Sequence, residues 1–299
     1  MKYLIVGGTG SLGNKLTERL LALGHSVIIY SRDEYKQNQM AGKFKSKKLS
    51  FILGDIRDRE QTVRSIKADI VIHAAALKHV PVGEFSPNEV IKTNILGTMN
   101  VIEACKINGV KKAILVSTDK ACHPVNLYGA TKFIAEKLFT SANQDGKTVF
   151  ASVRYGNVVG SRGSIVEYIL NNKPKTLGTT DLRMTRFWLS LDQAVDLVIK
   201  AVKKATKGQI IVPKAPASKV TQIFNWLSPK TKIKVIGMRA GEKLHEAMIN
   251  EDESLHTTEY KDHFVIEPEM YGAKYHQSDY QYTSDKARSM SKEEYMKLL

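Results

Sequence analysis

The chain is 299 residues long, with a formal net charge of +15 and two cysteines. That length supports one large core with a smaller appendage, and so few cysteines exclude a disulfide-stapled scaffold. No apolar run approaches the ~20 residues of a bilayer span, and a first strand beginning at Lys2 leaves no room for a signal peptide, so a soluble cytoplasmic protein and no membrane partner are expected.

The run Lys2 to Val6 reads as a strand, Gly7 to Gly13 as a turn, and Leu16, Leu20, Leu21 and Leu23 as one face of a helix. Gly8-x-Gly10-x-x-Gly13 is thus a dinucleotide fingerprint in its proper context, with Gly7, Gly10, Ser11, Leu12 and Gly13 against a pyrophosphate. The second strand, Ser26 to Tyr30, ends in Tyr30-Ser31-Arg32 with Lys36 one turn on, a set that suits the 2′-phosphate of NADP. A shift of two residues would instead make Asp33 the ribose acid of an NAD enzyme, which is the less favoured reading. Leu49 to Leu53 is a third strand leading to Asp55 and Ile56 beside an adenine. Ile70 to His73 is a fourth, followed by Ala74, Ala75 and Ala76, small enough for close approach of a cofactor. A helix is expected from Pro87 to Asn108, a fifth strand from Ala113 to Val116 and a sixth from Thr148 to Tyr155.

At the carboxyl end of the fifth strand, where doubly wound sheets put their ligands, stand Thr118, Asp119 and Lys120. Tyr128 and Lys132 open the next helix on one face, so that the Lys132 ammonium can favour a Tyr128 phenolate and hold a ribose hydroxyl. Adjacent Asp119 and Lys120 can give and take protons beside that phenol. After Gly156 the elements shorten and prolines interrupt them. The expected division is a dinucleotide-binding domain over residues 1–156, with 188–209 returning to it, and a substrate-binding region over 157–187 and 210–299.

Lysines at 43–48, 111–112 and 200–207 lack the aromatic interleaving of a nucleic-acid module, so the charge is read as a field attracting anionic nucleotides, with no nucleic-acid partner. The eight histidines form no His-x-x-x-His spacing, and no metal is expected; His73 reads as a packed, hydrogen-bonded histidine.

Several stretches carry a family resemblance: Ser31 to Glu34, His73 to Pro81, Lys92-Thr93-Asn94, Ser117 to Ala121, Asn126 to Lys132, Arg154 to Ser164, Arg183 to Trp188, and Arg239 to Glu246. The chain resembles an extended short-chain dehydrogenase/reductase of the polysaccharide-biosynthesis group, which includes inverting UDP-N-acetylglucosamine 4,6-dehydratases. Ala240 stands where the group often has Pro, and His79 where Gln is common. The resemblance implies an α/β fold, a Rossmann-type doubly wound parallel sheet with a smaller C-terminal substrate-binding region. It implies oxidation of a UDP-sugar at carbon 4, elimination of water across carbons 5 and 6, and return of hydride to carbon 6 with inversion at carbon 5. Tyr128 would be the first base, Lys120 the base at carbon 5 with a depressed pKa, and Asp119 the acid for the departing hydroxyl. Lys78 and Asn94 join the cofactor residues. Lys78, Asn157, Arg162, Thr185, Arg186, Arg239 and Glu242 are the substrate set, with Glu242 ordering Arg239. A homo-oligomer is implied, at least a dimer through the helices at 87–108 and 128–143, with a hexamer within reach. A nucleotide-sugar 4-epimerase, which leaves Asp119-Lys120 without a task, and a non-catalytic NADP-binding regulator are the alternatives.

Overall fold

A computed structural model describes residues 1–273, 275 and 280–299. Five residues of the expected substrate-binding region, at 274 and 276–279, therefore lie outside the described residues. The main sheet contains β1 (Lys2–Val6), β2 (Ser26–Ser31), β3 (Leu49–Leu53), β4 (Ile70–His73), β5 (Lys112–Val116), β6 (Val149–Val153), β7 (Ile210–Pro213), β8 (Thr257–Glu259) and β9 (His263–Ile266). Their order across the sheet is β8-β9-β7-β6-β5-β4-β1-β2-β3. The strands from β3 across to β7 run parallel, while β9 and β8 are added antiparallel at the edge.

Parallel strands covered on both faces need apolar side chains on both sides. In β1, Tyr3 and Ile5 enter one core with Leu16 and Leu20, while Leu4 and Val6 enter the other with Val101, Ala135 and Phe139. The first core is closed by α1 (Ser11–Ala22) and by the helix Leu191–Lys204, whose Ser190 and Gln193 form a capping box. The second is closed by helices including Gly97–Ile107 and Leu127–Ser141.

Two expectations change. The helix expected over 87–108 is interrupted by one wide turn, Lys92–Leu96, which buries Thr93 and Asn94. Such widened turns displace side chains from the regular helical register and are frequent at functional sites. The division at 210 also moves, because 210–213, 257–259 and 263–266 are strands of the main sheet. What stands outside it are small sheets, among them Asn157–Val158 with Thr185–Leu189 and Ala217–Lys219, and Ala247–Ile249 with Tyr282–Thr283. Among the described residues no helix is long and apolar enough to cross a membrane.

Arg154, just past β6, ties these parts together. It is fully buried, and its guanidinium donates to Glu136 at 3.1 and 2.6 Å, to Glu253 at 2.7 and 2.8 Å and to the Met248 carbonyl at 2.8 Å.

Candidate active site

A cleft of about 930 Å3 opens at the carboxyl ends of β1, β2, β4 and β5, where the strand order reverses between β1 and β4. One wall is made by removing side chains. Gly7 has φ +76° and a Cβ there would lie 2.7 Å from the Ala75 backbone; a Cβ on Gly13 would lie 2.2 Å from the Gly8 carbonyl. Strand, turn and helix can pack this closely only with glycine, and the amide-rich start of α1 is thereby bared to the cleft. Gly10, Ser11, Leu12, Ala74, Ala75 and Ala76 line the same wall. This cradle fits the pyrophosphate and nicotinamide side of a dinucleotide.

At the far end stand Ser31, Arg32, Lys36, Asp55 and Ile56. Strand β2 runs to Ser31, one residue further than expected, so Asp33 falls in the cap of the next helix. Its Oδ1 accepts from the Lys36 amide at 2.9 Å, and its other oxygen pairs with the Lys36 ammonium. Hydrogen bonds from Lys36 hold the Asp33 carboxyl below its usual range. Ser31 Oγ accepts from Gln37 at 3.0 Å. Arg32 is half exposed, 3.7 Å from Asp55.

Arg162, expected among the substrate contacts, lies across the glycine turn. Its amide donates to Ser11 Oγ at 3.1 Å and its guanidinium donates to the Thr9 carbonyl, while Lys78 Nζ donates to the Arg162 carbonyl at 3.2 Å. Burial, then the Arg162 charge, push the Lys78 ammonium down. Asn94 does not line the cleft. From the widened helical turn its amide exchanges hydrogen bonds with the Leu77 backbone at 2.8 and 3.0 Å and donates to Thr131 at 3.0 Å, fixing the loop that carries Lys78.

The other wall is charged. The Asp119 amide donates to the Tyr155 carbonyl at 3.0 Å, setting a tight turn over Asp119–Ala121. Asn126 caps the helix Leu127–Ser141, and Gly129 lets that helix dock on the turn, since a Cβ there would lie 2.3 Å from the Lys120 carbonyl. Tyr128 and Lys132 are thereby delivered beside Thr118, Asp119 and Lys120. Thr118 Oγ1 donates to Asp119 Oδ1 at 2.9 Å. Lys120 Nζ is clasped between Asp119 Oδ1 at 3.0 Å and Glu246 Oε1 at 3.1 Å.

This clasp corrects the expectation for Lys120. Burial opposes its charge, but Asp119 and Glu246 outweigh burial and the ammonium pKa is raised, not depressed. Asp119 is pushed up by burial and by Glu246, against the pull of Lys120. Burial raises the Tyr128 phenol to about 12, and the cation that pulls it back is Lys120. Lys132, to which that influence was assigned, is lowered by burial to about 8, with Glu136 opposing.

Glu246 was not among the expected site residues, although it ends the stretch Arg239 to Glu246 that carries the family resemblance. It arrives on a loop docked onto the Lys120–Asn126 segment: Asn126 Nδ2 donates to the Gly241 carbonyl at 2.8 Å and Lys243 Nζ to the Cys122 carbonyl at 2.6 Å. Gly241 has φ +80°, and a Cβ would come within 3.0 Å of Asn126. Tyr155, also unexpected, lines the cleft, its phenol raised by burial and by Tyr128.

Among the substrate set, Asn157 and Lys78 line the cleft with Arg162. Thr185 and Arg186 do not: Thr185 bonds His245 and Ser284 at 2.7 Å, and Arg186 donates to the carbonyls of Thr185, Leu244 and Lys243 at 2.7, 3.2 and 3.0 Å. Both brace the docked loop. Arg239 and Glu242 also stand outside the cleft wall; Glu242 accepts from the Arg239 amide at 3.2 Å, and Arg239 is exposed.

Residues 3–268 match a family described as polysaccharide biosynthesis protein. The chain is 49% identical over 274 residues to the inverting UDP-N-acetylglucosamine 4,6-dehydratase of Campylobacter jejuni subsp. jejuni, covering 89% of this chain and 82% of that one. It is 43% identical over 265 residues to the UDP-glucose 4-epimerase of Rickettsia bellii, covering 84% and 78%. The crystal structure of Pen from Bacillus thuringiensis has the same fold, with a TM-score of 0.92 at 36% identity over 99% of this chain and 96% of that one.

Proposed function

The chain belongs to the polysaccharide biosynthesis protein family, and from that premise we propose that it is an inverting UDP-N-acetylglucosamine 4,6-dehydratase, a lyase making a UDP-4-keto-6-deoxy-L-hexosamine in the cytoplasm. The observation that carries this reading is the clasp of Asp119 and Lys120 beside Tyr128. Oxidation at carbon 4 needs only one base, whereas elimination also needs a base at carbon 5 and an acid for the 6-hydroxyl. An epimerase has no use for the second pair.

A nicotinamide dinucleotide, when bound in the cleft, supplies the acceptor for the carbon-4 hydride and the donor that returns it at carbon 6. Tyr128 takes the 4-hydroxyl proton, its phenol drawn toward ionisation by the Lys120 charge. The 4-keto group acidifies the carbon-5 proton, which Lys120 removes while Asp119 protonates the departing 6-hydroxyl. A solvent proton delivered to carbon 5 from the opposite face inverts it, and Tyr128 returns its proton to solvent to close the cycle. Lys132 would hold a cofactor ribose hydroxyl. NADP is the proposed cofactor, with Arg32 as the principal 2′-phosphate contact, because Lys36 already pairs with Asp33. Asn157 and the exposed Arg239 are the proposed UDP contacts, the planar guanidinium being suited to the diphosphate.

We also infer a homo-oligomer, at least a dimer, through the helices at 87–107 and 127–141. Ile91, Leu96, Met99, Ile107 and Ile134 leave apolar side chains exposed there. Light scattering at micromolar concentration should show it, and a monomer would refute it.

Incubation with UDP-N-acetylglucosamine followed by NMR tests the activity. A 6-deoxy product with solvent deuterium at carbon 5 is expected, whereas conversion to the 4-epimer alone overturns the reading in favour of the epimerase.

A further inference from the structure

We propose that Glu246 is a positioning residue that determines which carboxyl of the catalytic cluster takes up the mobile proton, reserving that role for Asp119. The proposal rests on the dehydratase reading.

Three groups stand nearly in contact: Asp119 Oδ1, Lys120 Nζ at 3.0 Å from it, and Glu246 Oε1 at 3.1 Å from Nζ. Both carboxylates are buried, with 1% and 3% of their side chains exposed, yet their surroundings differ. Glu246 also faces Arg186 Nε at 3.7 Å and Lys243 Nζ at 3.5 Å. Its backbone is pinned on both sides by Ser284, which accepts from the Glu246 amide at 2.9 Å and donates to its carbonyl at 2.8 Å. Among the described residues Asp119 meets no second cation of this kind; its Oδ2 faces Gly156 and, like Glu246 Oε2, accepts no hydrogen bond. Three cations around Glu246 favour its ionised form, and against burial they draw its carboxyl down to about 2. A fixed negative charge near Asp119 has the reverse effect there and favours the protonated acid.

Elimination needs a neutral amine and a protonated acid together, and one proton already in the cluster provides both. Its transfer from Lys120 Nζ to Asp119 Oδ1 leaves the amine free. The carbon-5 proton then bonds to Nζ, its electron pair forms the carbon 5–carbon 6 double bond, and the carbon 6–oxygen pair leaves with the oxygen as Asp119 gives up its proton to form water. The cluster ends as ammonium and carboxylate, ready for the next cycle. Were Glu246 to take the proton, the acid would stand on a residue that, unlike Asp119, does not line the cleft.

Glu246→Gln and Glu246→Asp separate this role from a structural one when two steps are followed with UDP-N-acetylglucosamine: reduced-cofactor absorbance in the near ultraviolet for carbon-4 oxidation, and 6-deoxy product with deuterium entry for elimination. Glu246→Gln should slow elimination ~100-fold, far more than it slows carbon-4 oxidation. The alkaline limb of its elimination profile should move down by ~1 pH unit, because the shared proton is held less tightly without the carboxylate. Glu246→Asp, which keeps the charge, should restore the wild-type limb. A folded Glu246→Gln enzyme with unchanged elimination and limb overturns the proposal, as does equal loss of both steps. Should the Gln variant not fold, carboxyl NMR of the wild type, with Asp119 assigned by Asp119→Asn, decides: Asp119 should titrate above the ordinary aspartate range, and ionisation at or below that range overturns the proposal. A wild-type enzyme that makes no 6-deoxy sugar sinks the functional reading instead, and the same NMR titration then judges the proton's place independently.

Discussion

The two walls of the cleft are built on opposite principles. The glycine wall, from Gly7 to Gly13 against Ala75, works by the absence of atoms, and a single methyl at Gly7 or Gly13 collides with backbone. The charged wall works by compensation: Asp119 and Lys120 line the cleft with Glu246 beside them, Arg154 and Glu136 stand buried behind it with the part-exposed Glu253, and each charge persists only because it meets its opposite. The first is sensitive to volume and the second to charge. Isosteric charge removal should therefore impair the chemistry or stability of the second wall while leaving the first intact.

The largest expected effect is on chemistry. Lys120→Ala should lower dehydration ~100- to 10,000-fold and stop deuterium entry at carbon 5, while still allowing reduced cofactor to accumulate from partial oxidation at carbon 4. Tyr128→Phe should suppress both steps. A Lys120→Ala enzyme dehydrating at the wild-type rate would erase the distinction between the walls at the point of function. Next comes Arg154→Met, which strands Glu136 and Glu253 and should cost ~3–5 kcal/mol of stability in a denaturant titration. A loss below ~1 kcal/mol would mean the charges behind the cleft are not what holds it.

On the cofactor side the effects are smaller. Arg32→Ala should weaken NADP by ~1.5–3 kcal/mol, the worth of a charge-assisted contact, and leave NAD nearly unchanged. Equal losses in a fluorescence titration would remove the 2′-phosphate contact. His73, buried at the end of β4, gives a test by pH. Thr98 Oγ1 donates to the Asn94 carbonyl, so it accepts from His73 Nε2 at 2.9 Å, and a proton added at Nδ1 would meet no acceptor. Burial, then Lys132, lower the His73 pKa from 6.5 to about 3. The unfolded chain therefore binds this proton more readily than the folded one, and stability present at neutral pH is lost as the pH falls below 6.5, by about 2 kcal/mol at pH 5. His73→Asn should flatten that part of the stability curve. An unchanged slope would assign the acid sensitivity to other groups.

The glycine wall was legible because its causes are local: strand, turn and helix follow one another within Lys2–Ala22. Asp119, Lys120, Tyr128 and Lys132 were legible for the same reason, one strand end and one helical face. The charge state of Lys120 was not, since Glu246, which joins Asp119 in raising it, comes from a loop whose docking through Gly241 leaves no periodic signal. Arg186 was read as a ligand contact because a lone arginine beside a threonine looks alike whether it meets phosphate or three carbonyls. The strand at 210–213 was hidden by Pro213, which sits at the strand's last position. Asn94 sits in the widened turn, a feature that regular helical periodicity conceals.

Arg154 makes the two sequence halves one thermodynamic object. It joins β6 and the helix bearing Tyr128 to the segment around Met248 and Glu253, so opening of the C-terminal part uncovers a guanidinium that the central strands need paired. Amide protons of Ala247–Ile249 should accordingly exchange with solvent only on the timescale of the central strands, as members of the same cooperative unit and not as a peripheral flap.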